Sequence, residues 1–147
     1  MGNEVSPDVG QNRMMLMTSD NTKGIADMRS CLFVALGGAV GSVARYLIGL
    51  IEINEFTDFP VKTVAINILG SFLIGLIVAL SMKKGNLNPD MVLFAKVGIC
   101  GGFTTFSTFA LESSNLLQNG RTVTALAYIF LSIVLSIAAV FMAQRIV

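Results

Sequence analysis

Four long apolar runs separated by short polar stretches organise this chain. They lie at about 31–51, 63–82, 91–117 and 123–147, and each approaches or exceeds the ~20 residues that a helix needs to cross the hydrocarbon of a bilayer. The connections 52–62, 83–90 and 118–122 are rich in Asn, Gly, Pro and charge, and too short to hold an extramembrane domain. The pattern predicts an all-α membrane protein whose four transmembrane helices occupy residues 31–147, so that any activity sits within the bilayer. Residues 1–30 are polar and lack an apolar core of signal-peptide type, and they are expected to form a mobile tail outside the fold.

Composition agrees. Of 147 residues, 54% are hydrophobic and 13% charged, with a mean hydropathy of +0.75, which excludes the usual balance of a soluble domain. The net charge of +1 argues neither for nor against an anionic partner, and no nucleic-acid partner is expected. The placement of charge is more informative. The side holding the tail, the second connection and the C-terminus carries Lys23, Arg29, Lys83, Lys84 and Arg145, against Lys62 and Arg121 on the other, a modest bias toward cytoplasmic termini. Cys31 and Cys100 are isolated within predicted spans and read as packing residues rather than a disulfide or metal pair. With no histidine, a Ser-His-Asp triad, a Cys-His pair and a histidine zinc site are all excluded, and no enzyme is expected.

The helix faces carry the candidate chemistry. In the first span Gly37, Gly41, Arg45 and Gly49 recur every four residues, a spacing that lets another backbone approach closely. Arg45 is costly at membrane depth unless it meets protein, water or a headgroup, and either a structural or an ion-contacting role satisfies that need. In the second span Thr63, Asn67, Gly70, Ser71 and Gly75 share a largely polar, narrow face, and the Asn67 amide must bond a neighbouring helix or something that passes. The third span holds Gly98, Gly101, Gly102, Thr104 and Thr105 near its middle, which predicts a broken helix there, with a continuous glycine-packed helix as the alternative. Carbonyls freed by a break suit a hard cation.

Phe106 and Phe109 sit on one side of the same helix, where their electropositive ring edges could receive a desolvated anion; lipid or core contact is the plainer reading of each. Ser107 and Thr108 add hydroxyls between them, and Glu112 is the single acid deep in a predicted span. Tyr128, Ser132 and Ser136 form a hydroxyl ladder at four-residue spacing along the fourth span, over ~12 Å.

These segments resemble the Fluc/CrcB fluoride channel family. The resemblance lies in Gly38–Tyr46 of the first helix, Thr63–Phe72 of the second and Gly98–Phe109 of the third, and it extends over roughly 31–145. It implies an inverted, dual-topology dimer with two fluoride pores and a structural Na+ at its centre, held by the backbone carbonyls of Gly101 and Thr104. It also implies that Phe106 and Phe109 line the fluoride path, with Asn67 near the constriction and Ser107 and Thr108 beside it. By the same resemblance Tyr128, Ser132 and Ser136 form the polar track, Glu112 lies further along the path and Arg45 stands at a vestibule. An antiparallel homodimer is expected in a bacterial or archaeal plasma membrane, with a heterodimer of opposed paralogues as the other assembly.

The expected function is passive, fluoride-specific conduction that lowers cytoplasmic fluoride. Two rivals are a small proton-coupled exporter of drugs or ions, which needs a titratable group such as Glu112 at its site, and a noncatalytic subunit whose polar faces serve helix packing.

Overall fold

Each of the four apolar runs is helical, and most of the helices extend a few residues beyond the expected ends. The computed structural model describes residues 9–52 and 59–147, with side chains from residue 27 onward. Helix α1 spans Val9–Gly49 and α2 spans Val61–Lys84. The third run is composite: α3 (Pro89–Leu93), a π-helical segment (Phe94–Ile99), α4 (Cys100–Phe103) and, after a break, α5 (Phe106–Gln118). Helix α6 covers Thr122–Ile146. The stretches long and apolar enough to cross a membrane are Asp27–Gly49, Val61–Lys84, Pro89–Gln118 and Thr122–Ile146. The protein is a multi-pass membrane protein.

One element differs from expectation. Helix α1 begins at Val9, so residues 9–30, expected as a tail outside the fold, continue the first span as helix. At 41 residues it is about 61 Å long, twice what the hydrocarbon requires. Residues 1–8 of the expected tail, and the side chain of Lys23 in the charge count, lie outside what is described.

The helix ends follow local chemistry. Asn88 caps α3 by accepting the Asp90 N–H at 2.9 Å, with Pro89 at the first helical position, where its missing N–H costs nothing. Asp90 is buried and ties this end to α1, accepting from Ser30 Oγ at 3.0 Å and pairing with Arg29. Gly85 ends α2 at φ +61°, a conformation that side-chain-bearing residues adopt with difficulty.

Two glycine contacts bring α1 against the third run. A Cβ at Gly37 would collide with the Phe94 carbonyl and come within 2.9 Å of Gly98 Cα, and one at Gly41 would collide with the Ile99 carbonyl. From the other side, a Cβ at Gly102 would meet the Gly38 carbonyl at 2.5 Å. The backbones are therefore in direct contact, which is the packing that the four-residue glycine spacing predicts. On the far side α2 and α6 pack closely, with Gly75 against Val140 and Ala143.

The interior contains several polar groups. Thr63, Asp90, Thr105, Ser113 and Ser132 are buried, whereas Leu36, Val43, Phe130 and Phe141 lie on the outside. A small cluster of Val64, Leu116, Ala125 and Tyr128 fills the space between α2, α5 and α6, with Phe59, Ile68 and Phe109 against it. An apolar exterior is what hydrocarbon tolerates, and it leaves the interior free to hold hydrogen-bonding groups.

Candidate functional site: a helix break and the groove beside it

The break occupies two residues. Thr104 (φ −77°, ψ 159°) and Thr105 (φ −150°, ψ 113°) are extended between α4 and α5. Glycines at 101 and 102 weaken the helix before it, and threonine hydroxyls replace the bonds lost across it. Thr104 Oγ1 donates back to the Cys100 carbonyl at 2.9 Å, and Thr105 Oγ1 caps α5 by accepting the Thr108 N–H at 3.2 Å. The same Thr105 hydroxyl donates to Thr108 Oγ1 at 2.9 Å and lies 3.5 Å from Ser107 Oγ.

Asn67 meets the break from α2. Its Oδ1 accepts the Thr105 N–H at 2.9 Å and its Nδ2 donates to the Thr105 carbonyl at 3.2 Å, so one amide replaces both backbone partners of that residue. This satisfies a backbone that membrane depth would otherwise leave exposed at several kcal/mol per group. The Gly101 carbonyl, which would accept the Thr105 N–H in an unbroken helix, loses that donor to Asn67. One Nδ2 hydrogen of Asn67 is left over.

Beside the break runs an open groove of about 400 Å³. Asn67 and Ser71 from α2, Gly101, Thr104 and Phe106 from the third run, and Ser132 and Ser136 from α6 all line it, together with Phe109. The Phe106 and Phe109 ring centroids are 5.6 Å apart, and Phe109 lies 5.2 Å from Tyr128, so the rings form a continuous series from the groove to the interior. Phe106 is 79% exposed while Tyr128 is fully buried. At the inner end Tyr128 donates to Glu112 Oε2 at 2.7 Å and Thr63 Oγ1 donates to Glu112 Oε1 at 3.0 Å. Each carboxylate oxygen thus has a hydroxyl donor.

Ser132 differs from Ser81 and Ser113. Ser81 and Ser113 donate to carbonyls four residues back, Ile77 and Phe109, each at 2.7 Å, the ordinary fate of a serine in a helix. Ser132 Oγ is buried in the groove wall and has no hydrogen-bond partner among the described residues. A buried hydroxyl without a partner costs ~1–3 kcal/mol, so a visiting ligand that accepts its proton is favoured there.

Residues 32–144 match the family described as CrcB-like protein, Camphor Resistance (CrcB). The chain belongs to the CrcB family. A relative from Agrobacterium fabrum (strain C58), named Fluoride-specific ion channel FluC, is 47% identical over 115 residues, which are 78% of this chain and 92% of the relative. A Shewanella halifaxensis protein of the same name is 44% identical over 121 residues, covering 82% and 97% of the two chains. Fluoride-specific ion channel FluC 1 of Nitrobacter hamburgensis is 48% identical over 118 residues, or 79% and 93%.

In this CrcB chain the groove gathers seven of the twelve residues that the resemblance assigns to the fluoride path, the vestibule or the cation: Asn67, Gly101, Thr104, Phe106, Phe109, Ser132 and Ser136. Glu112 and Tyr128 join them behind Phe109, and Ser107 and Thr108 adjoin the break. Arg45 lies elsewhere: its Nε donates to the Gly102 carbonyl at 3.2 Å, and it does not line the groove. Thr63 was legible only as part of a polar face; its bond to Glu112, 49 residues away, adds it to the site. Among the described residues no cluster of three or more Cys, His, Asp or Glu side chains forms.

Proposed function

We propose that this protein is a passive, fluoride-specific channel of the cell membrane. The observation that carries the reading is the convergence, in one groove beside a helix break, of an amide donor (Asn67), a partnerless buried hydroxyl (Ser132) and the Phe106 and Phe109 rings. Fluoride is small and strongly hydrated, so its water must be replaced in steps by donors fixed in the protein, as carbonyl rings replace water in cation filters. Ring edges offer partial positive charge without trapping the ion as a full cation would. The leftover Asn67 hydrogen and the Ser132 and Ser136 hydroxyls supply the remaining donors. Glu112 then stands further along the path with Tyr128 and Thr63.

In this reading two copies assemble in opposed orientations. The support is physical: the groove is open on one side, and hydroxyl, amide and backbone groups facing hydrocarbon are expensive. A second copy laid over the groove removes that cost and completes the path. Pairing with an opposed paralogue is the other assembly, and the charge bias toward the side of Arg29, Lys83, Lys84 and Arg145 favours it. The proposed Na+ would be held by the carbonyls of Gly101 and Thr104. The donor set fits, because hard cations take oxygen ligands and the Gly101 carbonyl has lost its helical donor to Asn67. When bound, the ion supplies a fixed positive charge that lowers the cost of an anion nearby.

The test is efflux from liposomes containing only the purified chain. Fluoride should leave rapidly and chloride should not, with Phe106→Ile slowing the flux. Equal passage of the two anions would end the fluoride-specific reading, and silence from folded protein would point to the paired assembly. Ser132→Ala isolates one donor. It should slow fluoride about tenfold, the worth of one hydrogen bond, without lowering thermal stability, because the hydroxyl has no partner among the described residues. A loss of stability with unchanged flux would remove Ser132 from the path.

A further inference from the structure

The Gly102 carbonyl lies on the last turn before the break. In a continuous helix it would accept the Phe106 N–H, but the extended Thr104 and Thr105 carry that amide away. An acceptor stranded at this depth needs another donor. Arg45 Nε supplies it at 3.2 Å.

Arg45 had a cheaper course. It lies four residues before the end of α1, about 6 Å along the axis, where a long cationic side chain ordinarily extends toward its own interface. It is instead half-buried and turned sideways onto the third run. Its backbone has little freedom there, since Gly41, one turn earlier, touches Ile99 and Phe103. Among the described residues Gly102 is its one hydrogen-bond partner.

We propose that Arg45 is a positioning residue whose Nε–H holds the Gly102 carbonyl and keeps the helix break open, and that conduction depends on this donor rather than on the positive charge. Asn67 then fixes the Thr105 side of the break from α2 while Arg45 fixes the Gly102 side from α1. The two clamps hold the Gly101 carbonyl and the groove wall between them. The conduction arm of the inference rests on the channel reading; the geometric arm does not.

Three variants separate donor from charge. Arg45→Gln places an amide nitrogen the same number of bonds from Cα as Nε and removes the charge. Arg45→Lys keeps the charge and puts a methylene where Nε stood. Arg45→Met removes both. Two readouts apply to each: fluoride efflux, and the carbonyl resonance of Gly102 by solid-state NMR. Gly-Phe occurs once in the chain, so carbonyl-13C glycine with 15N phenylalanine labels Gly102 alone. Gln should keep the Gly102 resonance and most of the flux, while Lys and Met should move the resonance upfield and slow fluoride by about tenfold or more, as expected for a lost charge-assisted bond. Wild-type behaviour in Lys with loss in Gln would overturn the proposal in favour of a charge role, as would an unmoved resonance in Lys and Met. If Met fails to fold, the Gln–Lys comparison still decides. An inactive wild type would defeat the channel reading, leaving the resonance to decide the role of Arg45.

Discussion

Asn67→Leu is expected to abolish fluoride conduction and to lower thermal stability together. Leucine has nearly the shape of asparagine, so the change removes hydrogen bonds and leaves packing almost intact. Both lost bonds belong to Thr105, which is 8% exposed and has no other partner for its N–H in the break. Each stranded group costs ~1–3 kcal/mol, so the break should close, or refold as helix, at a total cost of several kcal/mol. Asn67→Asp separates the two effects. It keeps the acceptor for the Thr105 N–H, gives up the donor to the Thr105 carbonyl, and sets a negative charge beside the anion path; at about 4 Å and an effective dielectric of about 20 that repulsion is ~4 kcal/mol, roughly a thousandfold in rate. The aspartate variant should therefore lose less stability than the leucine variant yet fail to conduct. Melting in detergent and efflux from liposomes, measured on both variants, check this. A stable Asn67→Leu protein would mean that the amide does not hold the break, and a conducting Asn67→Asp protein would take residue 67 off the path.

The membrane fold was legible because its signal is local. Runs of about 20 apolar residues report a span wherever they occur, and the structure places helices over all four. The break was legible for the same reason, since Gly101-Gly102 followed by Thr104-Thr105 weakens a helix from within. What stabilises the break was not. Asn67 pairs with a residue 38 positions away and Arg45 with one 57 away, and no periodicity encodes which helices become neighbours. Sequence marked both as polar groups in need of partners, without naming the partners.

The same division runs through the rest of the site. Glu112 stood out as a lone deep acid, but its donors Thr63 and Tyr128 come from two other helices. The ladder of Tyr128, Ser132 and Ser136 was visible from spacing alone, yet only packing distinguishes its members: Tyr128 is committed to Glu112 and Ser132 to none of the described residues. The helical extension from Val9 was not legible because residues 9–26 are mostly polar and hold no apolar run of spanning length, the feature that marks the other helices. The π-helical segment Phe94–Ile99 likewise has no local signature; its carbonyls lie against the Gly37 and Gly41 contacts of α1.

Those contacts yield the second large effect. Gly41→Ala, the smallest substitution available, should impair both stability and conduction, whereas Gly38→Ala on the same helix should do neither. The added methyl at residue 41 meets the Ile99 carbonyl and, at 2.8 Å, the Phe103 nitrogen, and both are backbone atoms that cannot swing aside. Helix α1 must then move off the third run, which costs ~1–3 kcal/mol by the usual measure of overpacking. The movement also matters for the break. The Arg45 bond to Gly102 is already 3.2 Å long, and a shift of α1 by even ~0.5 Å takes it past hydrogen-bonding range. At Gly38 a Cβ has nothing within 4 Å, so alanine there should be neutral or slightly stabilising through its better helix propensity of up to ~1 kcal/mol. Melting and fluoride efflux on the two variants side by side test the chain of cause from glycine contact to open break. Indistinguishable alanines would mean that the approach of α1 does not govern it.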